Sequence, residues 1–77
     1  MKLEIISPSE IMFSGEVESV TLPGVAGKFT VLKNHASLIS ALRPGAVRYT
    51  SSGLEAGLDI KGGIADIDMN KISVCVY

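Results

Sequence analysis

The chain has 77 residues, 47% of them apolar, with seven Lys and Arg against eight Asp and Glu and a formal charge of -1. That length holds one hydrophobic core and excludes a multidomain enzyme; no apolar run reaches the roughly 18 residues that span a bilayer, and no basic run argues for nucleic acid as a partner. Met1-Lys2-Leu3-Glu4 lacks the layout of a signal peptide, and the single Cys75 makes neither an internal disulfide nor a multi-cysteine metal site, so a soluble protein of the cytoplasm is expected.

Eight Ile and seven Val against six Ala favour strands over helices, with eight Gly and three Pro as punctuation. Lys2 to Ile6 alternates and is expected as a first strand. Ser7-Pro8-Ser9-Glu10 has the spacing of a capping box, but the apolar stretch after it ends at Gly15, too soon for a helix, and the segment reads as a loop. From Glu16 to Leu22 the apolar phase slips by one residue between Val17 and Val20, which a β-bulge at Glu18 or Ser19 would absorb. Lys28 to Leu32 is a further short strand. His35 to Leu42 allows either two helical turns before Pro44-Gly45 or an apolar cover of Leu38, Ile39 and Leu42 over the end of a sandwich.

Ala46 to Thr50 alternates again and is closed by a turn at Ser51-Ser52-Gly53. The clearest period of two, Leu54 to Ile60, sets Glu55, Gly57 and Asp59 on one face and the apolar residues on the other, as a half-buried strand requires. Gly62-Gly63 predicts a tight turn or bulge. Asp68-Met69-Asn70 predicts a second hairpin turn, leading into Lys71 to Tyr77 with Ile72, Val74 and Val76 inward. Six or more short strands with regular turn signals predict two packed antiparallel sheets. So small a domain, with no disulfide and no metal set, gains stability by docking an apolar face on a partner.

Little in the chain argues for catalysis. His35, the one histidine, has Asn34 before it and Ser37 after it, but neighbours in one loop rarely supply base, orienting group and oxyanion donors together. Cys75 reads as a small half-buried residue rather than a ligand. Glu16 and Glu18, and Asp66 and Asp68, share strand faces at i, i+2 spacing, which marks a solvated face, and the cations scattered from Lys2 to Lys71 form no stripe. No catalytic residue, cofactor or metal is expected.

Phe13-Ser14-Gly15-Glu16-Val17-Glu18-Ser19-Val20-Thr21-Leu22-Pro23-Gly24, then Gly27, Phe29 and His35-Ala36, resembles the N-terminal β domain of the epsilon subunit of rotary ATP synthases. Leu42-Arg43-Pro44-Gly45 and Gly62 to Ile67 extend the likeness over nearly the whole chain in the same order. The resemblance implies an all-β fold, one flattened antiparallel β-sandwich of about ten short strands over residues 1–77. It implies a rotor subunit that fastens the gamma subunit to the ring of c subunits without chemistry of its own, peripheral to the cytoplasmic side of a bacterial inner membrane. Pro23, Gly24, Val25, Ala26, Gly27 and Lys28, with Lys33, Asn34 and His35, match positions facing the c ring; Ser7, His35, Leu38, Ile39 and Ser40 match positions at the gamma contact.

Departures from the family pattern are Lys28 where an acidic residue is common, Lys33-Asn34 in place of Pro-Gly, and Ser37 in place of Pro. The two lysines favour acidic groups on the ring loops, and Asn34 can keep the positive φ that Gly supplies. Many members continue into a C-terminal helical hairpin, whereas this sequence stops at Tyr77, so regulation by such a hairpin is not expected of a chain that is complete as given. The competing expectation is a free-standing β-sandwich module that binds a peptide or glycan, for which Phe13, Phe29, Tyr49 and Tyr77 are the available aromatics.

Overall fold

Alternating burial and short turns build nine strands in the computed structural model, which describes residues 1–77. They are β1 (Lys2–Ile6), β2 (Ile11–Glu16), β3 (Ser19–Gly24), β4 (Gly27–Leu32), β5 (Leu38–Leu42), β6 (Gly45–Ser51), β7 (Leu54–Ile60), β8 (Gly63–Asp68) and β9 (Lys71–Val76). There is no helix. The expected all-β, mostly antiparallel fold of about ten strands holds, with nine, and in place of two separate sheets one continuous sheet curls on itself in the order β2-β1-β9-β8-β5-β3-β6-β7, with β4 paired to β3. All neighbours are antiparallel except β1 and β9, the first and last strands, which lie parallel.

The sheet folds over at β3. Ser19 to Thr21 pair with β6, whereas Gly24 alone pairs with Leu42 of β5, so one strand belongs to both halves. Pro23, with no N–H to offer a ladder, stands between these two pairings, and its carbonyl accepts the Arg43 N–H at 2.9 Å. Leu3, Ile5, Ala65, Ile67, Ile72 and Val74 from one half then meet Val20, Leu22, Val31, Val47 and Ile60 from the other in a single buried cluster. At its rim Phe13 of β2 and Tyr49 of β6 bring their rings to 4.3 Å between centroids, joining the halves.

Several expectations are corrected here. Ile11 to Glu16 is a strand and not part of a loop; only Ser7 to Glu10 turns, closed by the Glu10 N–H donating to Ser7 Oγ at 3.2 Å. Glu16 to Leu22 is not one bulged strand: Val17 is buried as the chain crosses between sheet halves, which is what produces the slipped apolar phase. The register irregularity in this region lies where β1 meets β2, beside Ile6. Leu38–Leu42 is a strand, which excludes the helical alternative. β7 exists as expected but as an edge strand, with Leu54 75% exposed and only Ile60 buried along its length. Cys75 is exposed.

The turns follow the chemistry of their residues. Ser52 and Gly53 take φ 52° and 77°, and Met69 and Asn70 take 47° and 61°, the twist that two-residue hairpin loops require. Both Glu18 carboxylate oxygens accept the Ser52 and Gly53 N–H groups, at 3.1 and 2.9 Å, so a residue that reads as surface charge fixes the β6–β7 turn. A Cβ at Gly63 would fall on the Cys75 carbonyl oxygen, and only glycine lets β8 and β9 approach there.

Truncating Ile5, fully buried, to Ala is expected to cost about 2–5 kcal/mol. Leu54→Ala, on the exposed edge, is expected to change stability by less than about 0.5 kcal/mol. Urea unfolding midpoints at unchanged slope check both values.

Candidate functional site

Inward side chains leave their neighbours on the outside of the sheet, and register decides which of those line up. On the outer face of β2-β1-β9-β8-β5, Ile11, Ile6, Cys75, Ile64 and Ala41 are successive cross-strand partners. They form an apolar row across five strands, with Ile11 63% and Ile64 53% exposed. The next row is mixed: Ser14, Glu4, Ser73, Asp66 and Ile39, the last 72% exposed. The third row, Glu16, Lys2, Lys71 and Asp68, is entirely charged. A solvated sheet face has polar residues throughout; this one is apolar at one end and charged at the other, which is the composition of a contact surface.

Of the residues that match the gamma contact by resemblance, two adjoin this face. Ser7 follows Ile6 directly and is half-buried, and Ile39 lies on the outer side of β5 in the mixed row. Leu38 and Ser40 alternate to the other side of β5, toward the core, although Leu38 stays 40% exposed. The periodicity reading missed Ile6, Ile11, Ile64 and Cys75, and the signal that could have found them is an apolar residue placed out of phase with its strand, as Ile64 is between Gly63 and Ala65.

The ring-type residues divide into two groups. Pro23 and Gly24 are buried at the end of β3, where a Cβ on Gly24 would meet the Phe29 ring at 2.9 Å. Val25, Ala26, Gly27 and Lys28 are exposed at the β3–β4 turn. Lys33, Asn34 and His35 follow the other end of β4, so the two groups are separated by the length of a six-residue strand, roughly 17 Å.

The second group is held by side-chain bonds. Asn34 has φ 65°, the left-handed conformation its amide side chain tolerates. Its N–H donates to Asn70 Oδ1 at 2.6 Å while Asn70 Nδ2 donates to Asn34 Oδ1 at 3.1 Å. Ser37 Oγ donates to Asp68 Oδ1 at 2.7 Å, and His35 Nδ1 lies 2.7 Å from the Ala36 carbonyl. Ser37 is therefore engaged with Asp68 and not with His35, and the loop is a clasp onto the β8–β9 turn. No three His, Cys, Asp or Glu side chains gather as metal ligands would. Phe13, Phe29 and Tyr49 pack on the core, leaving Tyr77 as the exposed aromatic.

The family described as the ATP synthase delta/epsilon chain, β-sandwich domain, matches residues 1–77. The ATP synthase epsilon chain of Chlorobium limicola is 44% identical over 71 residues, covering 91% of this chain and 81% of that one. That of Nitrobacter winogradskyi is 38% identical over 71 residues, covering 92% of this chain and 53% of the relative. The chain thus spans about half the length of several curated relatives it matches. Among solved structures, a chain of the Euglena gracilis mitochondrial ATP synthase superposes with a TM-score of 0.89 at 22% identity, over 96% of this chain and 48% of that one. A chain of the Tetrahymena thermophila mitochondrial ATP synthase central stalk and c ring gives 0.83 at 11% identity, over 99% and 62%. Those two likenesses concern the fold.

Asn70→Ala removes both bonds that pin Asn34 and places Ala at a positive φ, at an expected cost of about 1–2 kcal/mol. Asn70→Gly keeps the turn and loses only the side-chain bonds. Amide exchange at Asn34 is expected to accelerate about tenfold in both, with the smaller loss of stability in the glycine variant.

Proposed function

The chain belongs to the delta/epsilon β-sandwich family of ATP synthase, and from that premise we propose that it works as a non-catalytic part of the rotor's central stalk, fastening gamma to the ring of c subunits so that ion-driven rotation reaches the catalytic head. The observation that carries the reading is the apolar row Ile11, Ile6, Cys75, Ile64 and Ala41, set on the outside of a sheet whose inside is already packed. Gamma docks on this face, with Ser7 at one border and Ile39 in the adjoining row. Leu38 and Ser40 turn to the inner side of β5 and His35 belongs to the clasp loop before it, so only Ser7 and Ile39 of these residues adjoin this face.

The ring contact uses the β3–β4 hairpin. Lys28, beside the exposed Val25-Ala26 turn, and Lys33, at the far end of β4, offer positive charge at both ends of one strand. A hairpin laid lengthwise on the ring would bring both, with Asn34 and His35, against acidic groups on the ring loops. Force is transmitted because cross-strand hydrogen bonds and a packed interior resist deformation. The site of action in this reading is the cytoplasmic side of a bacterial inner membrane, reached through the complex.

A tagged chain incubated with native membranes is expected to recover gamma and c subunits. Ile64→Asp places a charge in the apolar row and is expected to lower gamma recovery by roughly a hundredfold at unchanged fold. Lys28→Glu with Lys33→Glu is expected to weaken c-ring recovery while leaving gamma bound to the isolated chain. Recovery of both partners at parental levels by both variants would refute the assignment of these faces.

A further inference from the structure

A second feature lies on the outer surface of the other sheet half, away from the apolar row. There a depression of about 310 Å³ is lined by Thr21, Pro23, Lys28, Arg43, Arg48 and the turn Pro44-Gly45-Ala46. Cations dispersed along the sequence converge in it: both arginines of the chain and one of its lysines, whereas none of the eight acidic residues lines it. The backbone enforces the convergence. Lys28 is the cross-strand partner of Pro23, Arg48 is the partner of Thr21, and Arg43 is tied by its N–H to the Pro23 carbonyl at 2.9 Å. Gly45 keeps the wall low, since a Cβ there would stand 3.1 Å from the Pro23 ring.

We infer that this depression is an oxyanion site that takes a phosphate group. Two guanidinium forks can each hold two oxygens of one anion, and an ammonium adds a third positive donor. A carboxylate, with one charge and two oxygens, would leave that set under-used. A phosphate monoester or inorganic phosphate, with about -1.5 to -2 charges and three acceptor oxygens, matches it. The Thr21 hydroxyl, 2.9 Å from Thr30 Oγ1, can accept from Thr30 and donate its own proton to the ligand. Glu55 approaches Arg48 only at 4.0 Å on the exposed edge and lies outside the lining. The other two depressions each combine charges of both signs, Arg48 with Asp59 in one and Asp66 and Asp68 with Lys71 in the other. The inference stands on this lining and not on the stalk role, with Lys28 the one residue that both readings use.

The test titrates the isotope-labelled chain with inorganic phosphate at fixed ionic strength, with chloride as the reference anion, following backbone amides. Saturable shifts are expected at Thr21, Lys28, Arg43, Gly45 and Ala46, with affinity reduced about tenfold in Arg43→Gln and in Arg48→Gln and unchanged in Lys71→Gln on the opposite face. A parallel flotation assay compares phosphatidylcholine vesicles with and without phosphatidic acid. Capture only by the phosphatidic acid vesicles, lost in Arg43→Gln, supports the site with a membrane phosphate as the source; shifts with free phosphate and no vesicle capture support it with a soluble one. Neither saturable shifts nor Arg43-dependent capture, or shifts that Arg43→Gln and Arg48→Gln leave unaltered, would overturn it.

Discussion

The shared edge of β3 is the constraint on which the rest depends. Three residues of that edge serve β6 and a single residue serves β5, with a proline between them that needs no ladder partner. A straight strand between two neighbours would give a flat sheet with one buried side at most. Passing one strand between two partners folds the sheet upon itself, and fourteen buried side chains from both halves meet as one cluster. Gly24 makes the fold tight, because the Phe29 ring occupies the space a side chain would need. Remove either residue's peculiarity and the two halves lose the geometry that packs them.

That interior has a consequence for the exterior. With the inner face complete, apolar residues on the outer face are not there to build the core. In a domain of 77 residues the core is necessarily small, and the outer apolar row, unused by that core, is the surface assigned above to a partner. The family to which the chain belongs supplies the context for the reading offered above, a part of a rotor held between larger components. The charged surface of β3 and β6 is chemically unlike this row and lies on the opposite half, so the two can act independently.

How much was legible in the sequence follows from the same division. Strands whose outer residues are polar, such as Lys71 to Val76 with Lys71 and Ser73 outside, announce themselves by alternation. β2, β5 and β8 do not, because Ile11, Ile39 and Ile64 put apolar residues on both sides and erase the period of two. The three strands hidden from periodicity all belong to the proposed docking face, which β1 and β9 complete. At Leu54 to Ile60 the alternation announced a strand buried on one face, yet the strand is an edge and of its apolar residues only Ile60 is buried. The turns were readable at Ser52-Gly53 and Met69-Asn70 because positive φ is a local property of the residues that adopt it. The meeting of Lys28, Arg43 and Arg48 was not readable, since it is produced by pairing between distant strands. The resemblance to a family located the loops but did not say which residues of Pro23 to Lys28 reach the surface.

If a partner docks on the outer face as proposed, the gradient from the row at Ile64 to the row at Lys71 would also act as a key against misassembly. A partner turned end for end would press apolar surface onto Glu16, Lys2, Lys71 and Asp68 and would strip water from four charged groups while adding no polar partner to them. An attachment that keeps the partner's apolar surface at the Ile64 end avoids that penalty. In the rotor role proposed for the chain, such polarity would favour one orientation in which this wedge is mounted, so that assembled copies would carry their load alike.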